Sequence, residues 1–242
     1  MTYFYGLMTA LWLCCVSFSA NGQESSNLQW HGYFSQGITQ SIDSDFITSD
    51  NQISAELTEI GLNGLYQVAS NISIAGQVVY LDGGNRFEQG SRLDYLFIDW
   101  TVDDIAGWQA QIHLGRYKNS HWLYSVTRDV PQTRDTAVLP QSVYFDGFRD
   151  VALGSNGIQT RFSKYTDNHV WEVNWSYGRS TINEEQRDYL LGSLALGEIK
   201  QDFVHQFSVF WQPASMNWKL GASWLDSDFE YIPLEQDNRF AG

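Results

Sequence analysis

The sequence predicts an all-β protein: a transmembrane antiparallel β-barrel, present here as about nine strands of a larger barrel. Three observations predict it. Apolar and polar residues alternate with a period of two along most of the chain after Asn27, the signature of strands with one greasy and one wet face. The central parts of the apolar faces carry no charge and are rich in Trp and Tyr. The connections between strands alternate long and short. Almost no helix is predicted that could cover the apolar faces, so a second sheet or a lipid bilayer must do so.

The N-terminal stretch, 1–22, reads as a secretory signal peptide. Leu7 to Ser19 is apolar, and Ala20-Asn21-Gly22 supplies the small residues that cleavage favours. Met1 to Tyr5 has no Lys or Arg, so an N-terminal anchor is the competing reading, although the run is short for a spanning helix. Leu13 and Cys14 do not suit a lipoprotein site. Both cysteines, Cys14 and Cys15, fall in this stretch. The mature domain, 23–242, then has no disulfide, thiolate ligand or cysteine nucleophile. The net charge of -14, from 14 Lys+Arg against 28 Asp+Glu, argues against a nucleic-acid partner, which needs basic grooves. With 4 Pro, long strands run uninterrupted.

Strands are read over about 28–38, 54–66, 71–82, 91–102, 108–117, 157–165, 169–179, 203–212 and 217–226. On the third, Ile72, Ile74, Val78 and Tyr80 oppose Asn71, Ser73 and Gln77. The fourth is less clean: Leu96, Ile98 and Trp100 oppose Tyr95, Phe97 and Asp99, so its second face is also partly apolar. On the fifth, Trp108, Ala110, Ile112 and Leu114 oppose Gln109, Gln111 and His113. On the sixth, Ile158 and Phe162 oppose Gln159, Arg161 and Ser163. The seventh alternates most clearly, with Trp171, Val173, Trp175 and Tyr177 against Glu172, Asn174, Ser176 and Gly178. On the eighth, Phe207, Val209 and Trp211 oppose Gln206 and Ser208. On the ninth, Trp218, Leu220, Ala222 and Trp224 oppose Lys219, Gly221 and Ser223.

Trp218 and Trp224, like Trp171 and Tyr177, are six residues apart. Six steps of about 3.3 Å span about 20 Å, which places these rings at the two edges of an outward apolar band about 25 Å tall. The apolar faces should therefore point outward. Arg in place of Val173 should be costly, whereas Asn174→Arg should be tolerated.

The long and short alternation matches a barrel with short periplasmic turns and longer external loops. The longest connection, 118–156, is far beyond the usual loop length. Its apolar groups, such as Leu123, Tyr124 and Tyr144, suit a packed segment. Arg128, Arg134 and Arg149 each precede an aspartate, namely Asp129, Asp135 and Asp150. Local Arg–Asp turns and a functional charge cluster are equally open readings.

Leu114-Gly115-Arg116-Tyr117-Lys118, Thr127-Arg128-Asp129-Val130-Pro131 with Thr133-Arg134, Leu139-Pro140-Gln141-Ser142-Val143-Tyr144, Arg149-Asp150 and Gly157-Ile158-Gln159 together resemble the third-loop region of Gram-negative outer-membrane porins. The general and phosphate-selective porins are the nearest groups. The motif likeness covers about 114–159. It implies a porin-type barrel in the outer membrane, able to form a homotrimer, whose third loop folds into the lumen. It also implies passive passage of small hydrophilic or ionic solutes, with no enzymatic activity and no cofactor. Arg116, Lys118, Arg128, Arg134, Arg149 and Arg161 fall where such proteins carry constriction cations. Asp129, Asp135 and Asp150 are interleaved with them.

Other constellations point to less. His31, His113, His121, His169 and His205 make no metal-ligand spacing. Asp43-Ser44-Asp45 and Asp226-Ser227-Asp228 read as solvated loop charge. The segment from Glu184 to about Leu196 reads as a short exposed helix, and Gly83-Gly84 as a turn. Two other functions compete: a secreted β-sandwich binding carbohydrate through exposed aromatics, and an outer-membrane barrel hydrolase, which would need a Ser–His pair. Nine is an odd count for a bacterial barrel and too small a ring for the long loop. The charged stretch from Asp226 to Arg239 suggests no further strand. An incomplete barrel with little channel activity alone is therefore expected.

Overall fold

A computed structural model describes residues 27–49, 51–86, 89–121, 123–140, 143–144 and 152–234. The signal-peptide stretch, both cysteines, Arg149 and Asp150 lie outside these residues.

The protein is all-β. Its strands are β1 (Leu28–Gln40), β2 (Ile53–Ala69), β3 (Ile72–Asp82), β4 (Gly90–Ile105), β5 (Trp108–Lys118), β6 (Gly154–Tyr165), β7 (His169–Arg179), β8 (Glu198–Pro213) and β9 (Leu220–Ile232). They form one sheet in the order of the chain, and every neighbouring pair is antiparallel. β1 and β9 are not paired to each other, so the sheet is open.

Each strand read from the alternation is present; β2 and β4 run on to Ala69 and Ile105, β6 begins at Gly154, β9 begins only at Leu220, and the largest differences are in β8 and at the end of β9. β8 begins at Glu198, earlier than the alternation suggested. β9 continues through Asp226, Asp228 and Glu230 to Ile232, paired with β8 throughout; these acids keep the phase of Trp224, and Phe229 and Tyr231 take the opposite one. The short helix α1 (Glu184–Leu191) is capped by Asn183, whose Oδ1 accepts the Gln186 amide at 2.8 Å. It stops at Gly192, whose φ of 86° suits glycine. Among the described residues no helix is long and apolar enough to cross a membrane, which bears on helices alone.

Burial is inverted relative to a water-soluble sheet. Ile60, Leu62, Ile98, Leu114, Tyr177, Phe207 and Trp224 are exposed, while Gln77, Gln159, Asn174, Ser176, Gln206 and Ser208 are buried. The polar face turns inward because the long connection between β5 and β6 lies across it. The assigned phases hold on β3, β5, β6, β7 and β8. The expectation for Asn174 needs correction. Asn174 is 0% exposed; its Oδ1 accepts from Arg161 Nε at 3.1 Å, and its Nδ2 donates to Glu172 Oε1 at 2.8 Å. An arginine has no room there.

The sheet curls around the long connection. Tyr33 on β1 donates its hydroxyl to the Asp129 carbonyl. The Ser120 carbonyl accepts from Gln206 Nε2 at 3.2 Å and Ser208 Oγ at 2.8 Å, both on β8. Laid flat, seven strand spacings of about 4.8 Å would hold β1 and β8 about 34 Å apart. The segment 120–129 is largely turn and cannot span that distance, so the strands must wrap it.

A crease accompanies the curl. Gly115, Gly157 and Gly178 face one another across β5, β6 and β7. A Cβ on Gly157 would stand 2.3 Å from the Tyr177 carbonyl oxygen, and one on Gly178 would stand 2.8 Å from the Tyr117 hydroxyl. Gly115 adopts φ of 134°. Tyr117, fully buried, lies over Gly178, in space that a side chain there would take.

Candidate functional site

The site is the seam between the long connection and the inner wall. Its first anchor is Lys118 at the end of β5. The ammonium sits 2.6 Å from Asp94 Oδ2 on β4 and 2.7 Å from Asp129 Oδ2 in the connection. All three side chains are buried, so the charges are compensated by proximity and by added hydrogen bonds. Gln77 Nε2 on β3 contributes one of these, donating to Asp94 Oδ2 at 2.8 Å.

The second anchor is Arg134, which pairs with Glu59 on β2 and donates Nη1 to the Arg128 carbonyl at 3.0 Å. Arg128, also buried, donates Nη2 to the Tyr144 carbonyl at 3.4 Å. Arg86, in the connection between β3 and β4, donates Nη2 to the Leu139 carbonyl at 3.0 Å. These groups border a cavity of about 270 Å³ that holds Arg86, Arg128 and Arg134 with Glu59, Asp129 and Asp135. Three formal positive charges meet three negative ones, so the lining carries no net formal charge.

The third anchor is the entry of the connection. Asn119 Nδ2 donates to the Ala152 carbonyl at 3.0 Å, and its Oδ1 accepts from Ser176 Oγ at 2.7 Å. Arg161 on β6 reaches Ser120 Oγ at 3.5 Å. His121 is half-buried, and burial pushes its imidazole below the usual histidine range, so it adds no charge at neutral pH. Tyr124 donates its hydroxyl to Asp135 Oδ2 at 3.2 Å.

Of the residues singled out in the sequence, Lys118, Arg128, Arg134, Asp129 and Asp135 converge here, and Arg161 supports them from the wall. Arg134 and Asp129 tie the connection to the wall through Glu59 and Lys118, not through the local Arg–Asp turns that adjacency suggested. Arg116 stands apart. Register places it opposite Leu96, on the face of Leu96 and Leu114, and its Nε donates to the Leu93 carbonyl at 3.0 Å. Arg149 and Asp150 lie outside the described residues. Sequence reasoning missed Glu59, Arg86 and Asp94. Asp94 stands next to the break in register between β3 and β4, and a buried acid at a bulge has no alternation signal.

The outer face shows an aromatic cluster at the short-turn end. Trp171 and Trp211 have ring centroids 6.4 Å apart, and Trp218 lies 4.7 Å from Trp211. Further along the face, Trp175 Nε1 donates to His205 Nε2 at 2.6 Å. Among the described residues no group of His, Cys, Asp and Glu is arranged to hold a metal ion. Compared with known protein families and with curated proteins, the chain matches none.

Proposed function

We propose that this chain is a porin-type outer-membrane channel protein through which small hydrophilic or ionic solutes diffuse passively. One observation carries the reading: a sheet whose apolar face is uncovered and whose polar face is buried beneath its own long connection. Nine adjacent strands expose Ile, Leu, Phe and Trp outward. In water such a continuous patch is an unstable surface. In a bilayer it is the expected one, with Trp171, Trp211 and Trp218 at the interface. The secreted sandwich reading needs a second sheet over this face, and the nine strands form one sheet.

The mechanism follows from the seam. Lys118, Asn119 and Ser120 pin the start of the connection to the wall, and Arg134 pins its middle to β2. The connection thus narrows the lumen instead of hanging outside it. Ion passage is set by ring charges and by the width they leave. Because acids and arginines are present in equal number here, selectivity is set by their balance around the cavity rather than by an unbroken basic ring. In lipid, the free edges of β1 and β9 need hydrogen-bond partners, so conduction belongs to a closed assembly, either with further strands or as an oligomer.

The test is fractionation of the full chain, followed by electrophysiology. The protein should remain in the outer-membrane pellet after carbonate and urea washes. Reversal potentials of the reconstituted protein under a salt gradient should move toward cations when Arg128 and Arg134 are replaced by Ala. Recovery in the aqueous fraction without detergent would overturn the membrane reading.

A further inference from the structure

The inner face of β4 differs from the rest of the polar wall. Phe97 stacks on His113 of β5 with ring centroids 4.2 Å apart and 21° between planes, and Tyr95 lies 5.5 Å from Phe97. These rings border a cavity of about 320 Å³, closed on the other side by Val126 and Val130 of the long connection. Aromatic rings on a polar inner wall need a reason, and the wall's hydrogen bonding does not supply one.

Most polar groups around the cavity are committed to each other. Gln159 Nε2 donates to the Lys118 carbonyl at 2.9 Å, which leaves Oε1 to face His113 Nδ1 at 3.0 Å. His113 Nε2 lies 3.1 Å from Asp99, and Lys118 is held between two carboxylates. Arg161 differs. Its partners are neutral, Asn174 Oδ1 and Ser120 Oγ. It forms no ion pair among the described residues. On β6 it stands two residues from Gln159 on the same face, so it is the diagonal neighbour of His113. An uncompensated guanidinium thus ends a row that begins with the Phe97 ring.

We infer that this cavity binds a small aromatic monocarboxylate, with its ring against Phe97 and Tyr95 and its carboxylate on Arg161. The inference rests on the inner face being the solute path proposed above. A guanidinium presents paired N–H donors that match a carboxylate's two oxygens. One unneutralised cation suits one negative charge. A phosphate dianion would need a second cation, and Lys118 is already shared by Asp94 and Asp129. An aliphatic acid would forgo the ring contacts. The volume lies at the lower end of small-molecule pockets, roughly 300–1,000 Å³.

Titration calorimetry on the full chain refolded in detergent micelles tests this, with benzoate, acetate and inorganic phosphate as probes. Wild type should bind benzoate roughly tenfold more tightly than acetate or phosphate, and Arg161→Gln should weaken benzoate by about tenfold, as loss of a charge-assisted hydrogen bond predicts. Phe97→Leu keeps the volume apolar and should reduce benzoate to the level of acetate while leaving acetate unchanged. Benzoate bound by wild type no more tightly than acetate overturns the inference without recourse to any variant. Benzoate affinity unchanged in both variants also overturns it. Conductance of the same preparation separates the two readings. Conduction without benzoate preference defeats this inference alone, and benzoate binding by a protein that stays in the aqueous fraction defeats the channel reading alone.

Discussion

Leu114→Arg separates a lipid-facing sheet from a water-facing one by magnitude alone. Leu114 is 50% exposed on the outer face of β5, with Ile98 and Ile158 opposite it. It lies six residues from Trp108 at the short-turn end of the strand. Six steps of about 3.3 Å give about 20 Å along the strand, or about 15 Å of height at a tilt of about 40°. That is close to the midplane of a hydrocarbon core about 30 Å thick. Arginine at that depth costs about 2–4 kcal/mol in a membrane barrel. On a water-exposed surface the same change would stay within about 0.5 kcal/mol. Gln111→Glu, on the inner wall of the same strand and opposite Arg161, should stay within about 0.5 kcal/mol in either setting. Urea-titrated refolding into phospholipid vesicles, followed by tryptophan fluorescence, measures both. A Leu114→Arg variant as stable as wild type would refute the lipid-facing reading of the apolar face.

Three further outcomes follow from named contacts. Asn174→Arg places a second cation beside Arg161 in a fully buried network and should cost at least about 1–3 kcal/mol; an unshifted urea midpoint would contradict this. Gly157→Ala should cost about 1–3 kcal/mol because its Cβ meets the Tyr177 carbonyl oxygen at 2.3 Å. Gly90→Ala, with nothing within 4 Å of the added carbon, should stay within about 0.5 kcal/mol, measured in the same way. Arg134→Gln frees the middle of the long connection from Glu59 and should speed proteolysis within 130–140. Glu59→Gln should do the same, and the double variant should be cut no faster than either single one. Strictly additive rates would mean that the two residues do not act as a pair.

The strands were legible because a period of two is a strong local signal. Trp171 to Gly178 declares both faces of β7 without any knowledge of its neighbours. The ends were less legible. Asp226, Asp228 and Glu230 look like loop because they take the phase of Trp224 and break the apolar pattern, yet pairing with β8 carries β9 on to Ile232. The long connection was legible as a packed segment, but its partners were not. Glu59 and Arg134 are 75 residues apart and share no local pattern, and Asp94 and Lys118 meet only because β4 and β5 pair. One misplacement was avoidable. Arg116 keeps phase with Ile112 and Leu114, so alternation alone assigns it to the outer face and away from the seam. Asn174 shows the opposite limit: alternation names the polar side of a strand but not how crowded that side is.

The double hydrogen bond on the Ser120 carbonyl has a consequence for the order in which the protein assembles. Its donors, Gln206 and Ser208, come 86 and 88 residues later in the chain. Until β8 is paired, the entry of the long connection has no latch on that side, whatever β1 to β5 have already formed. Contacts of such separation come at a high loop-closure cost and form slowly. The latching of Ser120 to β8 is therefore among the last events of folding, and a chain arrested after β6 would hold the long connection through Lys118 and Arg134 without it.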